Sequence, residues 1–118
     1  MADVAPTITY VGDRDVVTWT TLVSANANGS PYQPERLRAV RATVQAIGTW
    51  DTATLVLQGS NDGTNWYTLN DAQGTAISFT ADGYAELNTA SLYIRPSTSS
   101  HGAGTDLDVI LVARGNTI

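Results

Sequence analysis

The sequence predicts an all-β fold: an antiparallel β-sandwich, jelly-roll or Ig-like, of about eight or nine short strands. Three observations lead there. Helix signals are nearly absent, and Thr, Ser, Gly, Asn and β-branched residues dominate, with Thr and Val suited to pleated, half-buried surfaces. Turn residues recur at roughly 8–12-residue spacing, as in sandwiches and barrels. The stretch Thr54–Leu69 reads as a β-hairpin, with Leu55-Val56-Leu57 running into Ser60-Asn61-Asp62-Gly63-Thr64-Asn65 and returning through Trp66-Tyr67-Thr68-Leu69. Asn-Asp-Gly supplies residues that tolerate the positive φ of a tight hairpin turn.

The elements follow in order. Thr7–Val11 is a short first strand after a loose arm of about residues 1–6, and Gly12-Asp13-Arg14-Asp15 turns the chain. Val16–Val23 is the second strand, with Val17, Trp19, Thr21 and Val23 on one face. Ala25–Pro34 is a loop whose two prolines and glycine disfavour regular ladder pairing. Pro34-Glu35-Arg36-Leu37-Arg38-Ala39 looks like a helix start and leaves room for a single turn near Pro34–Leu37. From Val40 onward, however, Val40, Ala42, Val44 and Ala46 alternate with Arg41, Thr43 and Gln45, so Leu37–Ile47 is a long strand. Gly48–Thr52 turns into the hairpin, and Asp71–Gly74 is another turn. Ala76–Thr80 carries Ile77 and Phe79 on one face, and Ala81-Asp82-Gly83 leads into Tyr84–Asn88. Leu92–Pro96 directs Leu92 and Ile94 inward and Tyr93 and Arg95 outward. Ser97–Thr105 is a loop. The closing strand Leu107–Ala113 is apolar on both faces, since Leu107, Val109 and Leu111 alternate with Ile110 and Val112. It is therefore central, or covered by another subunit.

Composition bounds the function. The 118 residues make one domain, with no internal repeat and no linker. No apolar run approaches the roughly 18–20 residues that span a membrane. Met1–Pro6 lacks the basic start and apolar stretch of a signal peptide, so folding in a cytoplasm is the simplest expectation. With no cysteine, disulfides and thiolate metal sites are excluded. All six basic residues are arginine and the net charge is -5, which argues against nucleic-acid binding. Arginine-only usage fits a GC-rich coding bias. It also fits interfaces, where the planar guanidinium pairs carboxylates bidentately.

No chemistry stands out. His101 is the only histidine; Ser99 and Ser100 are neighbours in sequence, which does not make a triad. It reads as an exposed loop residue without a role. Asp51, Asp62, Asp71 and Asp82 lie at turns, where aspartate bonds its own backbone. A calcium site would need flanking oxygen ligands and a terminal glutamate that Asn61-Asp62-Gly63 lacks. Nothing singles out a carboxylate pair for glycoside hydrolysis. No glycine-rich phosphate loop opens a helix, and Gly102-Ala103-Gly104 is a flexible loop. Trp19 and Trp66 sit in strand pattern and are expected in the core. Trp50 and Tyr32 sit in loops and are the better candidates for exposed contacts with a subunit, a partner or a sugar. No catalytic residue, cofactor or metal is expected; the chain reads as a binding protein, not an enzyme.

Two resemblances add to this. Leu57-Gln58-Gly59-Ser60-Asn61-Asp62-Gly63-Thr64-Asn65-Trp66 looks like a segment of discoidin-type sandwich domains, which bind glycans or lipids. A wider likeness runs in order through Val17-Thr18-Trp19, the Gly-Pro loop, Ala42-Thr43-Val44-Gln45 with Gly48-Thr49, and the Gln58–Gly63 hairpin. It continues through Asp71–Ala76, Tyr93-Ile94-Arg95-Pro96 and Val109–Arg114. In this order and length the chain resembles small structural proteins of tailed bacteriophages that decorate or cement capsids.

That resemblance implies a β-sandwich or jelly-roll, made in the host cytoplasm and carried on the capsid surface of the virion. It implies homotrimers at local threefold axes that bridge neighbouring major capsid proteins, with no catalytic residues. For shell contact the expected residues are Ala2, Asp3, Val4 and Pro6 in the arm and Tyr32 in the Ala25–Pro34 loop. For subunit contact they are Arg38, Arg41, Trp50, and Ile110 and Val112 of the closing strand. The different-class alternative is a glycan-binding module of a tail fibre, with Trp50, Trp66 and Tyr67 lining a groove.

Overall fold

The computed structural model describes residues 3–23, 27–33, 37–87 and 93–117. Nine strands are present among them: β1 (Thr7–Val11), β2 (Arg14–Leu22), β3 (Leu37–Thr49), β4 (Thr54–Ser60), β5 (Tyr67–Thr68), β6 (Ser78–Phe79), β7 (Gly83–Glu86), β8 (Tyr93–Ser99) and β9 (Asp106–Thr117). They form two antiparallel sheets. One has the order β1-β2-β9-β3-β7; in the other, β4 pairs with β5 and β6 on one side and with β8 on the other. The fold is the expected antiparallel β-sandwich.

The core lies between the sheets and follows the period-2 pattern. Val17, Trp19, Ala42, Val44, Ala46, Leu107, Val109, Leu111 and Ala113 face in from the first sheet. Leu55, Leu57 and Ile94 face them from the second, with Leu69, Ile77 and Leu87 closing the ends. β9 is the central strand of its sheet, which explains its two apolar faces: it pairs with β2 from Leu107 to Arg114 and with β3 from Asp106 to Thr117.

Several expectations are corrected. A register shift between Trp19 and Leu22 turns Thr21 out to solvent at φ 60° and Leu22 into the core. The amide of Thr21 donates to Asp108 Oδ1 at 3.0 Å, which holds that backbone. Arg14 and Asp15 belong to β2, and the turn is Gly12-Asp13. β8 continues to Ser99 because β4 offers it partners as far as Thr54; Leu92 lies outside the described residues. The 27–33 segment is zipped to β8 through Asn28↔Ser97 and Tyr32↔Ile94. The arm is not loose at Val4, whose amide donates to Asn28 O (2.9 Å) and whose carbonyl accepts from Ser30 N (2.7 Å). The chain thus leaves the edge of one sheet at Val4 and enters the other at Thr7.

Trp66 is only half-buried, outside the core, with Arg95 stacked 4.2 Å from its ring centroid. Trp19, the other tryptophan expected in the core, is fully buried and donates from Nε1 to Ser30 O at 2.9 Å. Gly29 lies against its ring so closely that an added Cβ would sit 2.6 Å from Cδ1 and Nε1. His101 is half-buried and bonded, not idle. Thr98 Oγ1 donates its single proton to Ala27 O (2.7 Å), so the 2.7 Å contact with His101 Nε2 requires the ring nitrogen to be the donor.

Of the turn aspartates, Asp62 and Asp71 bond their own turns, while Asp82 and Asp51 tie their turns to other loops. Asp82 Oδ1 accepts from Gly48 N and Trp50 Nε1, and Asp51 Oδ2 accepts from Gly104 N. Asp71 Oδ1 accepts from the amides of Gln73 and Thr75. Asp62 Oδ1 accepts from the amides of Asn65 and Thr64 and from the Ser60 hydroxyl. The Asn65 and Thr64 amides, with the side chains of Asn65 and Ser60, hold this carboxyl well below the usual carboxylate range. A depressed pKa means stabilisation present above the unfolded-state pKa and lost as pH falls toward the folded-state value. Asp62→Asn is therefore expected to melt below the wild type at pH 7, with the gap closing as pH drops below about 4. Thermal melts of both proteins from pH 7 to 2 check this; a gap that is constant with pH would refute it.

Candidate docking face

The outward face of the five-stranded sheet collects side chains that the interior does not use. Because strand side chains alternate, burial of Val17, Trp19, Val109, Leu111, Ala42 and Val44 sends their neighbours outward. Val16, Thr18, Ile110, Val112, Thr43 and Ile47 are half-buried there. Registers set them in rows across the strands: Val16, Val112, Thr43 and Glu86 form one, and Thr18, Ile110, Gln45 and Tyr84 the next. Tyr84 is 68 % exposed and Val11 52 %. An open depression of about 460 Å³ lies among Val11, Val16, Val112, Thr43 and Tyr84.

The next row beyond Val16 and Val112 is basic. Arg14 pairs with Arg114, and Arg114 pairs with Arg41, so three of the six arginines stand directly opposite one another on β2, β9 and β3. Like charges facing across a ladder are destabilising. Glu86 eases one end, with its Oε2 3.9 Å from Arg41 Nη1, but both side chains are largely in water and such a pair is weak. Arg114→Gln is expected to raise stability by about 0.5 kcal/mol at low ionic strength. The gain should shrink in 1 M salt, where the Debye length is about 3 Å. Urea midpoints at the two salt concentrations measure it; a loss of stability at low salt would contradict the repulsion.

The structure brings together Arg41, Ile110 and Val112 of the expected contact residues. Arg14, Arg114 and Tyr84 join them, though nothing in the sequence marked them as a group. Arg38 lies in β3 opposite Asn116, and its side chain is outside the described residues, as is Ala2. Trp50 follows the far end of β3, nine residues from Arg41 and so roughly 30 Å away. Its ring packs against the core and its Nε1 donates to Asp82 at 2.8 Å.

Tyr32 was expected to be exposed and is not. It is 2 % exposed and its hydroxyl donates to Asp15 Oδ2 at 2.6 Å. Asp15 shares the inward face of β2 with Val17 and Trp19, and a buried carboxylate needs hydrogen-bond donors. The signal was present: Asp15, Val17 and Trp19 have the period of one strand face. Of the arm, Asp3 is exposed, Val4 and Pro6 are half-buried. Burial pulls the Arg95 guanidinium below its ordinary pKa, and the charge of Asp3 pushes it back up. Val4 bridges Gly29 at the edge of the second sheet, whereas the arginine row stands on the first. The arm and the arginine row therefore do not form one patch.

Trp50 and Trp66 do not share a groove either. Trp66 neighbours Gln58 and Arg95 at one end of β4, and Trp50 precedes its other end, roughly 20 Å away. Tyr67 beside Trp66 is 71 % exposed.

No protein-family model matches the chain, and no curated protein matches it. Solved structures do resemble it. Protein NMB1881 from Neisseria meningitidis is 10 % identical over 93 % of this chain and 83 % of its own, at a TM-score of 0.47. The C-terminal domain of a chitobiase from Bacteroides fragilis is 14 % identical over 89 % of this chain and 65 % of its own, at 0.37. The SPBc2 prophage-derived protein YomS is 13 % identical over 89 % of this chain and 97 % of its own, at 0.54. Of the three, the YomS alignment alone exceeds a TM-score of 0.5, and what it establishes is a shared β-rich fold with a prophage-derived protein.

Proposed function

We propose that this protein is a structural component of a tailed-phage particle, a decoration or cement protein that binds the outer shell and bridges neighbouring major capsid proteins. The observation that carries a binding role is the outward face of the five-stranded sheet. There Val16, Ile110 and Val112 stay half-exposed beside a row of three arginines. Apolar centres flanked by arginine are the composition of protein interfaces. The phage context comes from the order of motifs along the chain; YomS contributes the fold alone.

The mechanism is binding without chemistry. Val16, Ile110, Val112 and Tyr84 supply apolar area, and the Arg14–Arg114–Arg41 row meets carboxylates of the shell protein, bidentately where the geometry allows. A stable contact of this kind covers about 800 Å² per partner. Binding only the assembled shell stabilises that state by mass action.

Quantitative mass spectrometry of purified source-phage particles tests the reading. A copy number comparable to the major capsid protein is the expected result. A few copies per particle would move the protein to the tail or a fibre, where the exposed Tyr67 beside Trp66 becomes the aromatic surface to test on glycan arrays. Absence from particles would end the virion reading.

A further inference from the structure

Two depressions adjoin at Arg114 on the outward face of the five-stranded sheet. The smaller, about 80 Å³, is lined by Arg41, Thr43, Glu86, Val112 and Arg114. The larger is the open one of about 460 Å³ among Val16, Val112 and Tyr84, and Arg114 lines it too. Whole-ligand pockets run to about 300–1,000 Å³, so the smaller depression suits the head group of one side chain. Two guanidiniums on its walls suit a carboxylate, which each can bond in plane.

This corner of the sheet departs from the locally stable choice. Arg14, Arg114 and Arg41 stand opposite one another across β2, β9 and β3, and opposed like charges destabilise a ladder. Half of the six arginines meet there in a chain whose net charge is -5. Such departures are expected where a protein binds or reacts. Glu86 offsets the repulsion only weakly, from 3.9 Å and with both side chains largely in water. Arg114 is exposed, and no ion pair engages it among the described residues. A carboxylate supplied from outside would relieve the repulsion that Glu86 leaves.

We propose that the occupant is an extended acidic segment of a partner protein. Its carboxylate sits between Arg41 and Arg114, and an apolar side chain two residues along enters the larger depression. Charge selects the first group, because facing guanidiniums favour an anion. Register selects the second. On β9, Arg114 and Val112 are two residues apart on one face, and Arg14 and Val16 match them on β2. That step is about 6.6 Å, the same as between same-side residues of an extended chain laid along it. The apolar neighbour favours a polypeptide over inorganic phosphate, and the net charge of -5 opposes a nucleic acid. Glu86 competes with the incoming carboxylate for Arg41, so it weakens the site instead of building it. The inference rests on the docking reading above and adds the chemistry of the partner.

The probe is the peptide acetyl-Glu-Ser-Leu-amide, titrated into the full chain while NMR follows the arginine Nε–H signals. Those of Arg41 and Arg114 are expected to shift and saturate, and acetyl-Gln-Ser-Leu-amide is expected to leave them in place. Arg114→Gln, which should stabilise the fold, is expected to weaken peptide binding about tenfold, as loss of a charged hydrogen bond does. Glu86→Gln is expected to tighten it about threefold, the scale of an exposed charge pair. A merely structural role would not make binding and stability move in opposite directions. Equal response to the two peptides, tighter binding of inorganic phosphate, or full binding by Arg114→Gln would overturn the proposal. So would a wild-type oligomer that Arg114→Gln dissolves in ultracentrifugation, which would put a second copy on the site. Peptide binding as expected, with no attachment to particles, would end the virion reading and leave this site standing. Undiminished attachment of Arg114→Gln to particles, with a silent peptide, would end this proposal and leave the virion reading.

Discussion

Ile110→Lys combined with Val112→Glu is expected to abolish attachment to particles while leaving the chain folded. Both side chains leave the central strand on its outward face and are half-buried in the isolated chain. A docked shell protein would bury them fully at the centre of the contact. Truncating such central residues typically costs 2 kcal/mol or more. An unpaired buried charge adds about 2–5 kcal/mol. A loss of about 4 kcal/mol, roughly a thousandfold in affinity, is the expected result for the pair. Folding should change by no more than about 1 kcal/mol, because neither residue belongs to the buried core. Co-sedimentation with particles lacking the protein measures the first effect, and thermal melting the second. Undiminished binding by a folded double variant would remove this face from consideration.

Trp19→Ala is expected to be the most damaging single truncation to stability. The indole is fully buried and joins β2 to the 27–33 segment: its Nε1 donates to Ser30 O, and Gly29 lies against its ring. Removing a buried tryptophan costs about 3–5 kcal/mol through lost burial and the cavity left behind. The Ser30 carbonyl also loses its donor, which adds about 1 kcal/mol. Domains of this size have about 5–15 kcal/mol in total, so the variant should be marginal at 37 °C. The 27–33 segment should loosen first, because the ring is what it packs on. Urea unfolding with amide exchange checks both statements. A loss under 1 kcal/mol would mean that the ring contributes little to holding that segment.

Much of the architecture is legible in the residues. Alternation of Ala42, Val44 and Ala46, and of Leu107, Val109 and Leu111, marks inward faces because a strand has only two sides and burial favours one. The Asn-Asp-Gly turn, Asp62 and Asp71 announce themselves because their function is local: each of these two carboxylates bonds amides within a few residues. The doubly apolar closing strand correctly signals a central position.

What depends on distant pairing is not legible. A one-residue register change between Trp19 and Leu22 reverses which of Thr21 and Leu22 is buried, and no local residue type dictates it. Tyr32 reads as a loop residue until β8 and Asp15 are seen to enclose it. Arg14, Arg41 and Arg114 lie far apart along the chain and become one row only when β2, β9 and β3 pair in their observed registers. The sequence by itself determined an all-β, cysteine-free, acidic domain with its turns and core faces, because those follow from local geometry and alternation. The tertiary structure alone decided which strands are neighbours, and with that where the arginine row and the open apolar face stand. Those places depend on long-range backbone pairing, and the residues on one strand do not specify their partners on another.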